Sequence, residues 1–290
     1  MAHLIPASAV DRYQAAPPRD TMEAVKCVFT SIRKTLGSSY GTFLQGSFSN
    51  GTAISNLEEI DIVAIRRNAP STVFGGQTTV YPIPWETIFN EVQYQLEASR
   101  HYQGATTKDD KFIKVATGLS ADVVPAREIA GTDSDPVSIY SKREGRERKH
   151  FPRIHHENVL AKDAATQQRF KPAVRMFKYW ARSHFPDDAY VAPSFYLECL
   201  IYNFADAAFL ANPAERFAHI ASTIAALNYS RRKIVSVAQD KDVLTDSEWP
   251  AAQFQKLQFR LANSVECVKQ AIGSWTTSGA LQSWRRAFNE

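Results

Sequence analysis

The apolar positions of this chain keep two different periods in two parts of it. Met22, Val25, Phe29, Ile32 and Leu36 recur at helical spacing after Asp20, and Gly37 follows as a stop, which predicts an amphipathic helix. Ile88, Val92 and Leu96 form a second such stripe between Pro84 and about Ser99. Around these helices the runs are short and strand-like. Gly41-Thr42-Phe43-Leu44-Gln45 is β-branched and aromatic, and it stops at Gly46-Ser47. Ile60 to Ile65 is an apolar run with Asp61 as the intruder, which predicts a strand buried on both faces. Lys114–Thr117 and Asp122–Val124 read as a further pair, so mixed strands lie between Gly41 and Ile139. From about Asp163 the period is helical, with predicted spans 163–184, 193–210, 213–229 and 250–272. The pattern predicts an α+β protein: a lobe with a mixed sheet and an N-terminal helix over residues 1–150, then a helical lobe over 151–290, with a site in the cleft between them.

Composition narrows the setting. The 290 residues are 44% hydrophobic, enough for a large core, and no apolar run approaches a membrane span. Met-Ala-His-Leu-Ile-Pro at the start lacks the apolar stretch of a signal peptide. Cys27, Cys199 and Cys267 are odd in number and far apart, which points to a reducing compartment, hence the cytoplasm, and away from a structural zinc. His150, His155 and His156 cluster without paired cysteines, so a solvated or hydrogen-bonding role is expected of them. The net charge of +4 suits nucleotide triphosphates better than it argues for nucleic-acid binding. The densest basic run, Ser141 to His150, is interrupted by Glu144 and Glu147 and has no interleaved aromatics, so it reads as a solvated linker between lobes.

The candidate chemistry is acidic. Glu59 and Asp61 stand two apart on one strand and therefore share a face. The apolar Ile60 between them favours this pair over one begun at Glu58. Asp122 lies inside the apolar run Ala121-Asp122-Val123-Val124-Pro125, where a lone carboxylate is costly to bury. Three such acids brought together repel one another unless a cation compensates them, and a divalent ion with hard oxygen ligands is the natural choice. Gly46-Ser47 at a strand end offers close backbone approach, an N–H and a hydroxyl to a phosphate.

Leu44-Gln45-Gly46-Ser47, Glu59-Ile60-Asp61-Ile62 and Asp122-Val123-Val124-Pro125-Ala126 together resemble the polymerase-β-like nucleotidyltransferases. More narrowly they resemble the cGAS/DncV-like nucleotidyltransferases (CD-NTases), as do Phe170-Lys171-Pro172-Ala173-Val174-Arg175-Met176-Phe177-Lys178-Tyr179-Trp180 and Pro193-Ser194-Phe195-Tyr196-Leu197-Glu198. Bacterial relatives usually begin the acidic pair with Asp, whereas the animal synthases share Glu-x-Asp, so Glu59 preserves ligation. The resemblance covers roughly residues 20–230. It implies a polymerase-β-like lobe joined to a helical lobe. It implies an enzyme that joins nucleoside triphosphates into a cyclic oligonucleotide second messenger, with release of pyrophosphate, in bacterial anti-phage signalling. Glu59, Asp61 and Asp122 would then hold two Mg²⁺ ions, with Mn²⁺ as the alternative, and Asp122 would assist deprotonation of the attacking hydroxyl.

The resemblance further implies that Gln45, Gly46, Ser47, Lys178, Ser194 and Phe195 bind nucleotide, with Phe195 stacking on the donor base and Arg175 a weaker phosphate candidate. By themselves Lys178 reads equally as a lysine snorkelling from an apolar helix, Ser194 as a helix cap after Pro193, and Tyr196 as core. The zinc insert of the animal synthases is missing, so a nucleic-acid activator is not expected, and a protein or small molecule is the expected regulator. The three acids do not distinguish a cyclic product from a linear one, nor from nucleotide addition to an RNA 3′ end. A toxin-type transferase acting on protein or tRNA, and a degenerate nucleotide-binding module without activity, are the other readings.

Overall fold

The structure, a computed structural model, describes residues 4–55, 59–71, 83–129 and 135–290. The chain divides into two compact units. One holds Pro17–Asn50 and Asn56–His156; the other holds Met1–Ala16, Gly51–Ser55 and Glu157–Glu290. The opening helix α1 (Ala7–Gln14) belongs to the second of these, which is helical.

The sheet unit begins with α2 (Arg19–Leu36), the helix expected from the stripe after Asp20, with Val25, Ile32 and Leu36 buried. Then come β1 (Tyr40–Gln45), the single turn α3 (Gly46–Asn50), β2 (Glu59–Ser71) and α4 (Trp85–Glu97). Five strands follow: β3 (Thr106–Lys108), β4 (Ile113–Val115), β5 (Ser120–Ile129), β6 (Val137–Ser141) and β7 (Arg146–His150). The order is β1-β2-β5-β4-β3, with β6 on β5 and β7 on β6. Only β2 and β5 run parallel among these pairs, so the sheet is mixed.

Alternation gives the sheet two apolar faces. Ile60, Ile62, Ala64, Ala121 and Val123 pack with Val25, Ile32, Ile88, Val92 and Leu96 from α2 and α4. Val63, Ile65, Val124 and Ala126 make a smaller cluster on the opposite face with Val137, Ile139 and Phe43. Burying both faces explains why β2 and β5 read as continuous apolar runs.

The basic run 141–150 is not a linker. It is the turn and last strand of a hairpin, with Val137 paired to His150 and Ser141 to Arg146. Glu144 takes hydrogen bonds from Arg146 (2.9 Å) and Arg148 (2.6 Å). Glu147 accepts from the Trp85 indole at 2.6 Å and pairs with Arg127, whose side chain is 3% exposed. Asp110 clamps the turn by accepting from the Ser141 hydroxyl (3.0 Å) and the Arg143 N–H (2.6 Å). The charges that suggested solvent are partners of one another.

The helical unit contains α5 (Pro152–Ala165, whose first residues lie in the sheet unit), α6 (Phe170–His184), α7 (Ser194–Tyr202), α8 (Pro213–Ala225), α9 (Ala251–Ile272) and α10 (Thr277–Ala287). The expected helix 163–184 is thus two helices. Gln167 and Gln168 adopt left-handed φ of 54° and 61°, which breaks the ladder between them. The helix expected from 193 ends at Tyr202, and a 3₁₀ turn at Asp206–Ala208 follows. Trp180, Trp249 and Trp284 are fully buried. Each indole N–H is satisfied, by Ser264 (2.8 Å), the Val191 carbonyl (3.0 Å) and the Ala9 carbonyl (3.0 Å) respectively. Tyr13 stacks on Phe288 with ring centroids 4.0 Å apart, which fastens α1 onto the last helix. Among the described residues no helix is long and apolar enough to cross a membrane.

Candidate active site

The acids converge because of strand register. Asp61 on β2 pairs directly with Asp122 on β5, and Gln45 on β1 pairs with Asp61 from the other side. Directly paired side chains on neighbouring strands share a face about 4.8 Å apart. Glu59, two residues before Asp61, shares that face by alternation. It is the face opposite α2 and α4, beyond the end of the small apolar cluster. Glu58, the neighbouring acid, lies outside the described residues.

Gly46 turns the chain out of β1 with a left-handed φ of 71°. A Cβ placed there would lie 2.3 Å from Asp61 Oδ2, so the aspartate sits against bare glycine backbone. No other residue type satisfies both conditions. Ser47 follows in the first turn of α3.

Electrostatics mark the same place. Asp122 is 8% exposed, and its Oδ1 is buried without a hydrogen-bond partner among the described residues. Burial first, then the charges of Glu59 and Asp61, push its pKa up to about 7 against a smaller opposing pull from Lys114. Lys114 Nζ lies 3.4 Å from Glu59 Oε2, and both side chains are about half exposed. Among the described residues no three carboxylate, imidazole or thiolate groups are already gathered closely enough to hold a metal ion. The donor set nevertheless fits a divalent cation. A buried Asp122 oxygen without a hydrogen-bond partner among the described residues, beside the charges of two further carboxylates that Lys114 offsets only in part, suits a hard cation. Glu59, Asp61 and Asp122 are the residues that would hold it.

Lys178 is neither snorkelling nor exposed. It is 6% exposed on α6, and its ammonium donates to Glu198 Oε2 (2.9 Å) and Thr52 Oγ1 (3.1 Å). The Thr52 hydroxyl in turn donates to Glu198 Oε2 at 2.6 Å. Arg175, one turn earlier, donates to the carbonyls of Gly51 and of Gln14, the latter at 2.6 Å. Both residues therefore grip Gly51–Ser55, the short stretch that packs with the helices although the chain on either side of it belongs to the sheet unit. Thr52 and Glu198 are central to this arrangement, and sequence reasoning gave neither a role. The signal was a lone base in one apolar helix, Met176-Phe177-Lys178-Tyr179-Trp180, and a lone acid in another, Phe195-Tyr196-Leu197-Glu198-Cys199-Leu200. Two such intruders are best buried as a pair.

Ser194 opens α7 after Pro193 and is exposed, with no side-chain capping bond at that end. Phe195 is 42% exposed, and Lys241 Nζ lies 5.7 Å from its ring centroid. Lys241 also pairs with Glu248 at 2.6 Å, a contact that the sequence reading missed. Tyr196 is structural: it stacks on Trp249 at 5.6 Å, and its hydroxyl donates to Glu248 at 2.9 Å.

Part of the sequence and the fold are similar to those of known proteins. Residues 157–266 match the family described as the cGAS/DncV-like nucleotidyltransferase C-terminal helical domain. A cyclic UMP-AMP synthase from Rhodothermus marinus is 28% identical over 233 residues, covering 71% of this chain and 78% of the relative. A cyclic dipurine nucleotide synthase from Elizabethkingia meningoseptica is 25% identical over 217 residues, covering 64% and 73%. CdnC from E. coli MS115-1, solved with ATP and also as a CdnC:HORMA-deltaN complex, shares the fold. With ATP its TM-score is 0.76 at 16% identity, covering 99% of this chain and 98% of that one. Beside the acids on one sheet face and the glycine against Asp61, the chain therefore carries the C-terminal helical domain of the cGAS/DncV-like nucleotidyltransferases and shares their fold.

Proposed function

We propose that this protein joins nucleoside triphosphates into a cyclic oligonucleotide and releases pyrophosphate, using Glu59, Asp61 and Asp122 as its reactive-centre acids. The observation that carries the reading is the direct pairing of Asp61 with Asp122 beside a glycine that has no room for a side chain. The activities named for the Rhodothermus and Elizabethkingia relatives support the same product class. A role in anti-phage signalling is part of the proposal.

A divalent cation bound by the three acids supplies Lewis-acid charge to the triphosphate and lowers the pKa of the acceptor hydroxyl. The chain's own groups do the rest. Gly46 and Ser47 present N–H groups and a hydroxyl to the triphosphate. Gln45, paired with Asp61, lines the same sheet face. Asp122 Oδ1, buried and without a hydrogen-bond partner among the described residues, is an acceptor for the proton of the attacking hydroxyl. In the helical unit, exposed Phe195 offers a ring face to a base, and Ser194 offers a hydroxyl to a phosphate. Two of the three N–H donors of Lys178 serve Glu198 and Thr52, which leaves one for a phosphate oxygen. Most of the rate enhancement comes from positioning and charge stabilisation.

The test is incubation with four labelled nucleoside triphosphates and Mg²⁺ or Mn²⁺, with products resolved before and after phosphatase. Phosphatase-resistant product is expected. Product that phosphatase degrades fully would establish a linear synthase instead, and no incorporation under any combination would overturn the proposal.

A further inference from the structure

A pocket of about 470 Å³ lies within the sheet unit, away from the acids. Arg33 of α2, Arg67 of β2 and Arg153 of α5 line it, together with Thr42, Phe43 and Glu128. Arg67 stands on β2 six residues beyond Asp61, which at strand rise is about 20 Å. The three guanidinium groups differ from several other arginines in this unit. Arg66 is paired with Glu91, Arg127 with Glu147, and Arg146 and Arg148 with Glu144. The Arg33, Arg67 and Arg153 side chains have no hydrogen bond or ion pair among the described residues, and Glu128 lines the same pocket yet pairs with none of them. The Arg153 guanidinium is instead held over the Phe43 ring, 5.7 Å from its centroid. The Thr42 hydroxyl is buried and also lacks a hydrogen-bond partner among the described residues.

Arg33, Arg67 and Arg153 are exposed around one concavity without an acidic partner among the described residues, so an anion with several charges can engage more than one of them at once. Arginine forks match phosphate oxygens two at a time. The volume falls in the range of small-molecule sites, about 300–1,000 Å³. A duplex backbone needs an open basic stripe, whereas this pocket is concave and carries a carboxylate at its edge. From this geometry we propose that the pocket lined by Arg33, Arg67 and Arg153 binds a small molecule bearing two or more phosphates, at a site separate from the acids. Such a molecule is a nucleotide or inorganic pyrophosphate. The Phe43 ring beside Arg153 gives a nucleotide an additional apolar contact that pyrophosphate lacks.

The test uses the full chain in EDTA, so that metal-dependent binding at the acids is absent. Pyrophosphate and ATP are titrated in separately by calorimetry. Saturable binding of one or both is expected. Arg67→Gln/Arg153→Gln should weaken it about tenfold or more, since charged hydrogen bonds are lost from an exposed but shaped site. Ser47→Ala should leave it unchanged. Arg33→Gln is the second variant, and circular dichroism confirms that each is folded. Tighter ATP than pyrophosphate identifies the site as a nucleotide site, and equal affinity identifies a polyphosphate site. Three results overturn the proposal: no binding of either probe to the wild type, affinity unchanged in the folded arginine variants, or binding abolished by Ser47→Ala. Steeply salt-dependent binding of duplex DNA or RNA without binding of either probe would overturn it in favour of a nucleic-acid surface.

Discussion

Glu198→Gln should destabilise the helical unit far more than a change of one atom suggests. The Lys178 and Glu198 side chains retain 5% and 4% of their surface, with Nζ and Oε2 2.9 Å apart. The substitution leaves the ammonium buried with Thr52 and a neutral amide as its neighbours. Removing one partner of a buried pair costs about 3–5 kcal/mol, because the remaining charge stays out of water. With a urea slope of about 2 kcal/mol/M, the unfolding midpoint falls by about 1.5–2.5 M. Lys178→Met should cost a similar amount, since it strands the carboxylate. Lys178→Met/Glu198→Met removes both charges and fills the space, so it should cost much less than the two single changes added together, by at least about 2 kcal/mol of coupling. Tryptophan fluorescence is the assay, because Trp180, Trp249, Trp275 and Trp284 lie in the helical unit and only Trp85 in the other. Single variants each costing under about 1 kcal/mol, with additive effects, would refute the reasoning and mean that Lys178 is solvated and unengaged.

Further outcomes follow from the same geometry. Asp61→Asn should leave the fold intact and lower product formation by at least about 10³, as one acid of a crowded cluster is lost, and its melting temperature should not fall. Substantial turnover by the folded variant counts against the assignment. Gly46→Ala meets both a 2.3 Å clash with Asp61 Oδ2 and a φ of 71°. It should cost about 1–2 kcal/mol of stability from the backbone alone and lose most activity, read by urea melts and product assays. Ser194→Ala and Phe195→Ala should raise KM for triphosphate with a smaller change in kcat, and unchanged KM in both would remove them from the site. Glu144 has its pKa lowered to about 2 by hydrogen bonds from Arg148 and Arg146. A lowered carboxylate stabilises the hairpin above its unfolded pKa of about 4.3, and that contribution is lost as pH falls toward 2. Amide exchange across β6–β7 should accordingly rise on acidification, less so in Glu144→Gln and less at high salt, where the exposed pairs are already screened.

Local pattern alone determined a good part of this protein. Short apolar and β-branched runs located β1, β2 and β5, the 3.6 period located α2, α4, α8 and α9, and the order Gly46-Ser47, Glu59-x-Asp61, Asp122 marked the acids before any register was known. These features are legible because each is written within one element, where side-chain direction follows from backbone period. What required tertiary structure is what joins distant residues. Nothing local says that Asp61 stands opposite Asp122 in parallel register, since that pairing is set by a long connection through α4 and two further strands. The same holds for Thr52, Lys178 and Glu198, whose polar atoms meet only because three separate segments pack together. The hairpin strand β7 carries too little apolar content to be read as a strand, because its stability comes from backbone pairing and from arginine–glutamate contacts across turns. Helices α1 and α10 escaped for a related reason: each is short, and the aromatic stack of Tyr13 on Phe288 that holds them joins opposite ends of the chain. Periodicity records which face of an element is apolar, while the partner that covers it is chosen only when the chain folds back on itself.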